Sequence, residues 1–284
     1  MKEFIERAGW VLPEAVLLIG GVVVFCAWFF RTSFGRKALI QSEPRRNNMP
    51  LAVPFVVLAA YFVISPCIFL LIRKRWDIAE MSGQYYLVYN IVTGIIAIIS
   101  VIVIIVLIRR SFVRGLKGFG FNLRTIFRDF GSALLNLCAI WPIIMAVILL
   151  TVEIGKLFYG PDYTIGQHQE LKNISAYPQQ LPLLISIFLV TVLIGPVLEE
   201  LLFRGLIQNM VRSLGYGPWS SIAICSGCFV CFHASPSHWP ALFILSMGIG
   251  YSYERSGSIF RPIFFHALFN AFNVIATFII VKPA

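Results

Sequence analysis

Charged residues are scarce in this sequence. Only 13% of its 284 residues are Asp, Glu, Lys or Arg, whereas 58% are hydrophobic, and the mean hydropathy is +0.83. Soluble globular domains carry about 25% charged residues. The composition therefore excludes an ordinary soluble domain and indicates an integral membrane protein.

Acidic residues are rarer still, with 13 Asp and Glu against 23 Lys and Arg and a formal net charge of +10. The basic residues cluster between apolar runs, where they act as topology signals. A nucleic-acid-binding stripe would instead line one helix or one face. We therefore expect a lipid bilayer, and no nucleic acid, as the surroundings of this chain.

Cysteine is also uncommon, and the chain has six, all within apolar stretches. Cysteines in such places behave as small hydrophobic residues, so no disulfide framework is expected. Cys225, Cys228 and Cys231 follow one another at intervals of three residues, which on a helix gives a stripe rather than a converging ligand set. Packing between helices explains this stripe better than a metal cluster does.

Eight apolar runs predict an all-α polytopic membrane protein with about eight transmembrane helices. A spanning helix needs about 20 mostly apolar residues. Four runs before residue 150 meet this length, and four follow, of which two are short. The runs cover residues 11–30, 51–72, 87–108, 131–150, 183–198, 219–232, 240–253 and 262–281. The first run lacks a signal-peptidase site, so we expect it to be retained as a span.

The positions of the basic residues predict the orientation. Loops 31–50 and 109–130 each carry at least five Lys and Arg against one acidic residue, which places both in the cytoplasm and both termini outside. The triplet Arg73, Lys74 and Arg75 argues against this topology. The long polar stretch 151–182 is predicted to be an extramembrane loop. It separates a four-span region, residues 1–150, from a C-terminal helix bundle, residues 183–284, that would hold the catalytic groups.

Two adjacent glutamates, Glu199 and Glu200, interrupt an apolar run. One ionised side chain at mid-bilayer costs about 2.5–3.5 kcal/mol, so such a pair indicates a functional site. Successive helical residues point about 100° apart, and Arg204 is placed at i+4 to pair with Glu200. Glu199 then remains free. The alternative is a purely structural ion cluster that holds helices together.

Two later helices carry further polar groups. His233 stands 15 residues after Pro218, and Glu199 stands 14 residues before Ser213, with a Gly-Tyr-Gly-Pro turn between the two helices. In a helical hairpin both would lie about 20 Å from the turn. His266 and Asn270 share one face of the last helix, and these groups could instead join helices by hydrogen bonds.

These groups suit hydrolysis. A glutamate can take a proton from water, one histidine can orient that water, and a second histidine with an amide can stabilise an oxyanion. Zinc is an alternative with Glu199, His233 and His266 as ligands, although the sequence has no His-Glu-x-x-His. Polar groups at membrane depth also occur in transporters.

The three motifs resemble those of a known family. Glu199-Glu200-x-x-x-Arg204, Phe229-x-x-x-His233 and His266-x-x-x-Asn270 are similar, in this order, to the motifs of the CPBP family. This family comprises the type II CAAX prenyl endopeptidases and the Abi bacteriocin-processing and self-immunity proteins. The resemblance covers about residues 181–281, including the stretch 255–263 before the third motif.

The resemblance implies an intramembrane glutamic endopeptidase that needs no cofactor and no metal, with a site that opens towards the cytoplasm. Glu199 would be the base, His233 its partner, and His266 with Asn270 the oxyanion stabilisers; Glu200, Arg204 and Phe229 would be supporting residues. The substrate would be a peptide or protein at the cell membrane. It would be lipidated in a CAAX-type reaction, and otherwise it would be a leader peptide. The alternative is a non-catalytic immunity or scaffold protein.

Overall fold

The computed structural model describes residues 2–233 and 235–280. Regular structure in these residues is helical, apart from one isolated antiparallel bridge between Asn47 and Phe112. The α-helices are α1 (Lys2–Arg31), α2 (Val53–Arg75), α3 (Gly83–Ser111), α4 (Gly115–Phe119), α5 (Ile126–Tyr159), α6 (Gln169–Ala176), α7 (Leu181–Phe188), α8 (Gly195–Glu200), α9 (Asn209–Ser213), α10 (Pro218–Cys231), α11 (Trp239–Ser256) and α12 (Phe260–Ile280). The predicted all-α class is therefore confirmed.

Helices α7, α8 and α9 form one continuous helical path that contains two π-helical segments. These are π1 (Leu189–Ile194), between α7 and α8, and π2 (Leu201–Gln208), between α8 and α9. Single 3-10 turns also precede α5 and α11, at Leu123–Thr125 and Pro236–His238. π-helical turns are rare and are frequent at functional sites. Both glutamates of the predicted site lie in α8, between the two π segments.

Local signals in the sequence explain several helix ends. Ser82 caps α3, because its hydroxyl accepts a hydrogen bond from the backbone N–H of Tyr85 at 3.1 Å. Gly215 has a left-handed φ of 91°, Gly217 is extended, and Pro218 begins α10. Proline has no backbone N–H, but the N–H at the first helical position has no partner within the helix, so proline loses no hydrogen bond there. The turn predicted at residues 215–218 is confirmed.

Each of the eight predicted runs coincides with a helical segment, although residue 281 lies outside the described residues. Five helical stretches are long and apolar enough to cross a membrane: Val53–Arg75, Gly83–Ser111, Leu123–Tyr159, Leu181–Ser213 and Phe260–Ile279. Leu17–Arg31 and Pro218–Cys231 are shorter apolar stretches. The count of eight crossings therefore stays a prediction, while a multi-pass membrane architecture agrees with the structure.

The connections rich in Lys and Arg gather at one end of the helix bundle. The backbone N–H of Val113 donates to the carbonyl of Arg46, and that of Ile259 donates to the carbonyl of Gly120, both at about 3 Å. Connections far apart in the sequence are joined in this way. We call this the basic end, and it comprises residues 32–52, 112–125, 214–217 and 257–259.

The remaining described connections gather at the other end of the bundle, which we call the opposite end. Tyr177 donates its hydroxyl proton to the carbonyl of Met81, and the rings of His168 and His238 stack with centroids 4.0 Å apart. This end comprises residues 76–82, 160–168, 177–180 and 235–238. The predicted extramembrane loop 151–182 lies mostly here, although α5 continues to Tyr159 and α6 lies within the loop.

The long helices of the first half pack directly against the C-terminal helices. Helix α5 contacts α1, α11 and α12, and α3 contacts α7 and α8. One large core cluster includes residues of both halves, among them Ile104, Ile144 and Phe265. The division into regions 1–150 and 183–284 therefore describes the sequence, and it stays a prediction as a domain boundary.

A buried ion pair fixes the start of α12 at the basic end. Asp129 on α5 is fully buried and accepts hydrogen bonds from Arg261 Nη2 at 3.0 Å and Nε at 3.2 Å, and from the Thr125 hydroxyl at 2.8 Å. Breaking a buried ion pair by removing one partner costs about 3–5 kcal/mol. This pair positions the helix that carries His266 and Asn270.

We expect Arg261→Met to lower the free energy of unfolding by about 3–5 kcal/mol, because Asp129 would be left as an uncompensated buried charge. Adding Asp129→Asn should restore most of the loss. Thermal unfolding of the detergent-solubilised protein measures both effects. A double variant no more stable than Arg261→Met alone would contradict the assignment.

Candidate active site

Glu200 and Arg204 form a fully buried ion pair. Arg204 Nη1 lies 3.1 Å from Glu200 Oε1, and both side chains have 0% exposure. Arg204 Nη2 also donates to the hydroxyl of Ser246 on α11 at 2.7 Å, and the guanidinium lies 5.1 Å from the ring centroid of Phe229 on α10. The pairing predicted from the i, i+4 spacing is present, and it connects three helices.

His266 lies between the two glutamates. Its Nδ1 is 2.8 Å from Glu200 Oε1, and its Nε2 is 3.8 Å from Glu199 Oε2. Because an ionised carboxylate only accepts hydrogen bonds, Nδ1 is assigned as the donor to Glu200. This bond orients the ring so that Nε2 faces Glu199. Helical spacing predicts a pairing of Glu200 with Arg204 alone, so the contact with His266 is a feature that the sequence did not indicate.

Glu199 is the freer of the two carboxylates. Its side chain is 35% exposed, and it forms no hydrogen bond with another described residue. It lies at the wall of a cavity of about 540 Å³ that is also lined by His233, His266 and Asn270. The structure therefore brings the four predicted catalytic residues to one cavity that is large enough for water and a peptide segment.

His233 and Asn270 are both held by backbone carbonyls. His233 lies two residues beyond the end of α10, and its Nδ1 is 2.9 Å from the carbonyl oxygen of Phe229 in the last turn of that helix. This contact leaves Nε2 as the second polar atom of the ring. Asn270 Nδ2 donates to the carbonyl of Thr191 in π1 at 2.8 Å. An amide nitrogen has two protons, so Asn270 keeps one donor. Among the described residues, no hydrogen bond joins His233 to Glu199.

All four histidines of the chain line this cavity, and two of them are not among the site residues predicted from the sequence. His168 comes from the connection before α6, and His238 from the turn before α11. Burial, reinforced by neighbouring His238 and His233, lowers the pKa of His168 to about 4, and burial also lowers the pKa of His238. The scarcity of histidine in the sequence was the only signal that could have indicated them.

Metal ligation requires side chains that converge on one point. Within residues 2–233 and 235–280, no group of three or more His, Cys, Asp and Glu side chains is placed to hold a metal ion. Glu199, His233 and His266, considered above as zinc ligands, line one cavity without forming such a group. The stripe Cys225, Cys228 and Cys231 likewise consists of free thiols.

The two adjacent glutamates are expected to differ in their effects on stability. Glu200→Ala leaves Arg204 as an unpaired buried charge and should lower the free energy of unfolding by about 3–5 kcal/mol. Glu199→Ala removes no hydrogen bond within the described protein and should change it by about 1 kcal/mol or less. Unfolding of both variants in one detergent measures the difference. Equal destabilisation would contradict the division between the two residues.

Comparison with known proteins locates the similarity in the same region. Residues 181–272 match the family model described as Type II CAAX prenyl endopeptidase Rce1-like, and residues 1–180 lie outside the match. Searches of curated proteins and of solved structures gave no match. The matched segment contains all three motifs and four helices of the site, and the family consists of membrane endopeptidases. Residues 181–272 of this multi-pass membrane protein are therefore similar to the type II CAAX prenyl endopeptidase Rce1-like family.

Proposed function

We propose that this protein is an intramembrane endopeptidase in which Glu199 activates a water molecule. The observation that carries the proposal is the unequal environment of the two glutamates. Glu200 is neutralised by Arg204 and His266, whereas Glu199 faces the cavity without a hydrogen-bond partner among the described residues. A general base must reach the proton that it abstracts directly or through one water.

The proposed reaction uses four side chains. Glu199 takes a proton from water while the hydroxide oxygen bonds to the carbonyl carbon of the substrate, and His233 Nε2 helps to orient that water. The carbonyl oxygen becomes an oxyanion that accepts hydrogen bonds from His266 Nε2, when protonated, and from Asn270 Nδ2. The tetrahedral carbon then expels the amine, which receives the proton from Glu199. Removing one such oxyanion donor typically costs about 10²–10³ in kcat.

In this proposal Glu200, Arg204 and Phe229 do not react themselves, and they hold in position the side chains that do. Glu200 holds the His266 ring by its Nδ1, and the buried Arg204 guanidinium donates to the Glu200 carboxylate. The carbonyl of Phe229 holds His233. These contacts support fixed orientations for both imidazoles, which lowers the cost of reaching the transition-state geometry.

We propose a peptide or protein substrate held at the membrane, and no metal or other cofactor. The cavity walls combine the polar groups named above with apolar side chains such as Ile144, Leu242 and Phe269, so a peptide with apolar flanks would fit. A lipidated CAAX-type substrate and a leader peptide are both compatible with this lining. The cell membrane is the proposed location.

A non-catalytic scaffold or immunity protein is the second candidate. The buried contacts of Glu200, Arg204, Ser246 and His266 favour it, because they join α8, the following π2, α11 and α12 regardless of any reaction. They do not involve Glu199. The endopeptidase therefore requires the Glu199 carboxylate, whereas the scaffold does not.

Glu199→Gln is expected to lower turnover by about 10²–10⁴, because an amide cannot act as a general base. The melting temperature should stay close to that of the unmodified protein. Comparing the new peptide ends in membranes that contain either form measures turnover even while the substrate is unidentified. Glu170→Gln, the same change at another carboxylate of the cavity, is the matched control and should keep activity. Undiminished cleavage by Glu199→Gln would support the scaffold.

Turnover is expected to persist in the presence of a strong zinc chelator, since Glu199 itself activates the water in the proposed reaction. Assays of the purified protein with and without chelator measure this, using a substrate identified by the comparison above. If the chelator inhibits turnover and added zinc restores it, the metal-free mechanism is contradicted, while Glu199 could still be essential as a zinc ligand.

A further inference from the structure

A groove at the basic end, which we call the arginine groove, is lined by Arg45, Arg46, Arg110 and Arg212 and by no acidic residue among those described. Its walls come from three segments that are distant in the sequence, residues 44–48, 110–113 and 212–215. Its volume is about 700 Å³, and sites for small ligands usually have about 300–1,000 Å³. None of the proposed catalytic residues lines it, so the arginine groove is separate from the cavity beside Glu199.

Backbone hydrogen bonds hold two walls of the arginine groove together. The N–H of Asn48 donates to the carbonyl of Ser111, and the N–H of Val113 donates to the carbonyl of Arg46, both at 3.0 Å. The connection before α2 is fixed in this way to the end of α3. A site that exists before its ligand binds loses less conformational entropy on binding.

Two of the four arginines already have partners within the protein. Arg212 is 7% exposed, its two Nη atoms donate to backbone carbonyls at 2.8 and 2.9 Å, and its Nε lies 3.7 Å from Glu254 Oε1. The Arg45 guanidinium lies 3.8 Å from the ring centroid of Tyr253. These two arginines form the inner wall, and Glu254 behind it balances one positive charge.

The other two arginines, Arg46 and Arg110, are exposed and form no ion pair within residues 2–233 and 235–280. Glu43, the nearest acidic residue in the sequence, does not line the groove and forms no ion pair with them. Four arginines against Glu254 leave three positive charges at the groove. Basic residues that only set topology need to lie near span ends, but they need not converge on one concave site.

The position of the arginine groove along the helices matches that of lipid head groups. Two candidate spans, Gly83–Ser111 and Leu181–Ser213, end at residues that line it. The hydrocarbon core of a bilayer is about 30 Å thick, and head groups extend the total to about 40–45 Å. A groove at the ends of spans therefore lies at the level of the lipid phosphates.

We propose that the arginine groove binds the phosphate group of an anionic ligand, with Arg46 and Arg110 as its direct contacts. A guanidinium presents a planar set of donors that matches phosphate oxygens and can bind two of them at once. Basic pockets between transmembrane helices bind anionic lipid head groups in this way. A phosphate ester that is free in solution offers the same chemistry, whereas phosphatidylcholine carries a cation that offsets its phosphate.

Thermal unfolding of the delipidated full-length protein in a neutral detergent tests the proposal, because a ligand that binds only the folded state raises the melting temperature. Saturating dioleoylphosphatidylglycerol should raise it by about 5 °C, and dioleoylphosphatidylcholine should raise it much less. The double variant Arg46→Gln with Arg110→Gln should lose most of this shift. Both side chains are exposed, so the variant should fold.

The matched control is Arg124→Gln with Arg128→Gln. It removes the same two charges from exposed positions beside the basic end that do not line the groove, and it should keep the shift. An equal loss of the shift in both double variants would show that surface charge alone attracts the lipid, and would overturn the proposal. A phosphatidylcholine shift as large as that of phosphatidylglycerol would also overturn it.

Soluble anions distinguish the two sources of phosphate. Inorganic phosphate and glycerol 1-phosphate are added at constant ionic strength, with sodium chloride as the reference. A groove-dependent shift with phosphatidylglycerol alone assigns the site to a membrane lipid, and the same shift with a soluble anion assigns it to a free phosphate compound. No groove-dependent shift with any of the three would contradict the phosphate site. None of these outcomes depends on the proposed peptidase activity.

Discussion

The buried ion pair between Glu200 and Arg204 is the interaction on which the site depends. Removing a charged group from water costs several kcal/mol per ion even after relaxation, so a fully buried pair persists only where neighbours satisfy it. Here α11 provides Ser246 and α12 provides His266. The pair consequently joins the helices that carry the proposed catalytic groups, and it does so one residue away from Glu199.

This arrangement gives two adjacent, chemically identical side chains different surroundings. Oε1 of Glu200 is contacted by both Arg204 and His266, so the positive partners in the site are bound to that carboxylate. Glu199 keeps its own carboxylate exposed to the cavity.

The parts of this structure that could be predicted are those set by local sequence. Run length and turn chemistry predict the helices and the turn at residues 215–218, and the i, i+4 spacing predicts the contact of Arg204 with Glu200. The contact of His266 with Glu200 depends on how α12 is rotated relative to α8, which no single helix specifies. His168 and His238 come from connections whose path follows from tertiary packing, so nothing in their neighbourhood marks them as cavity residues.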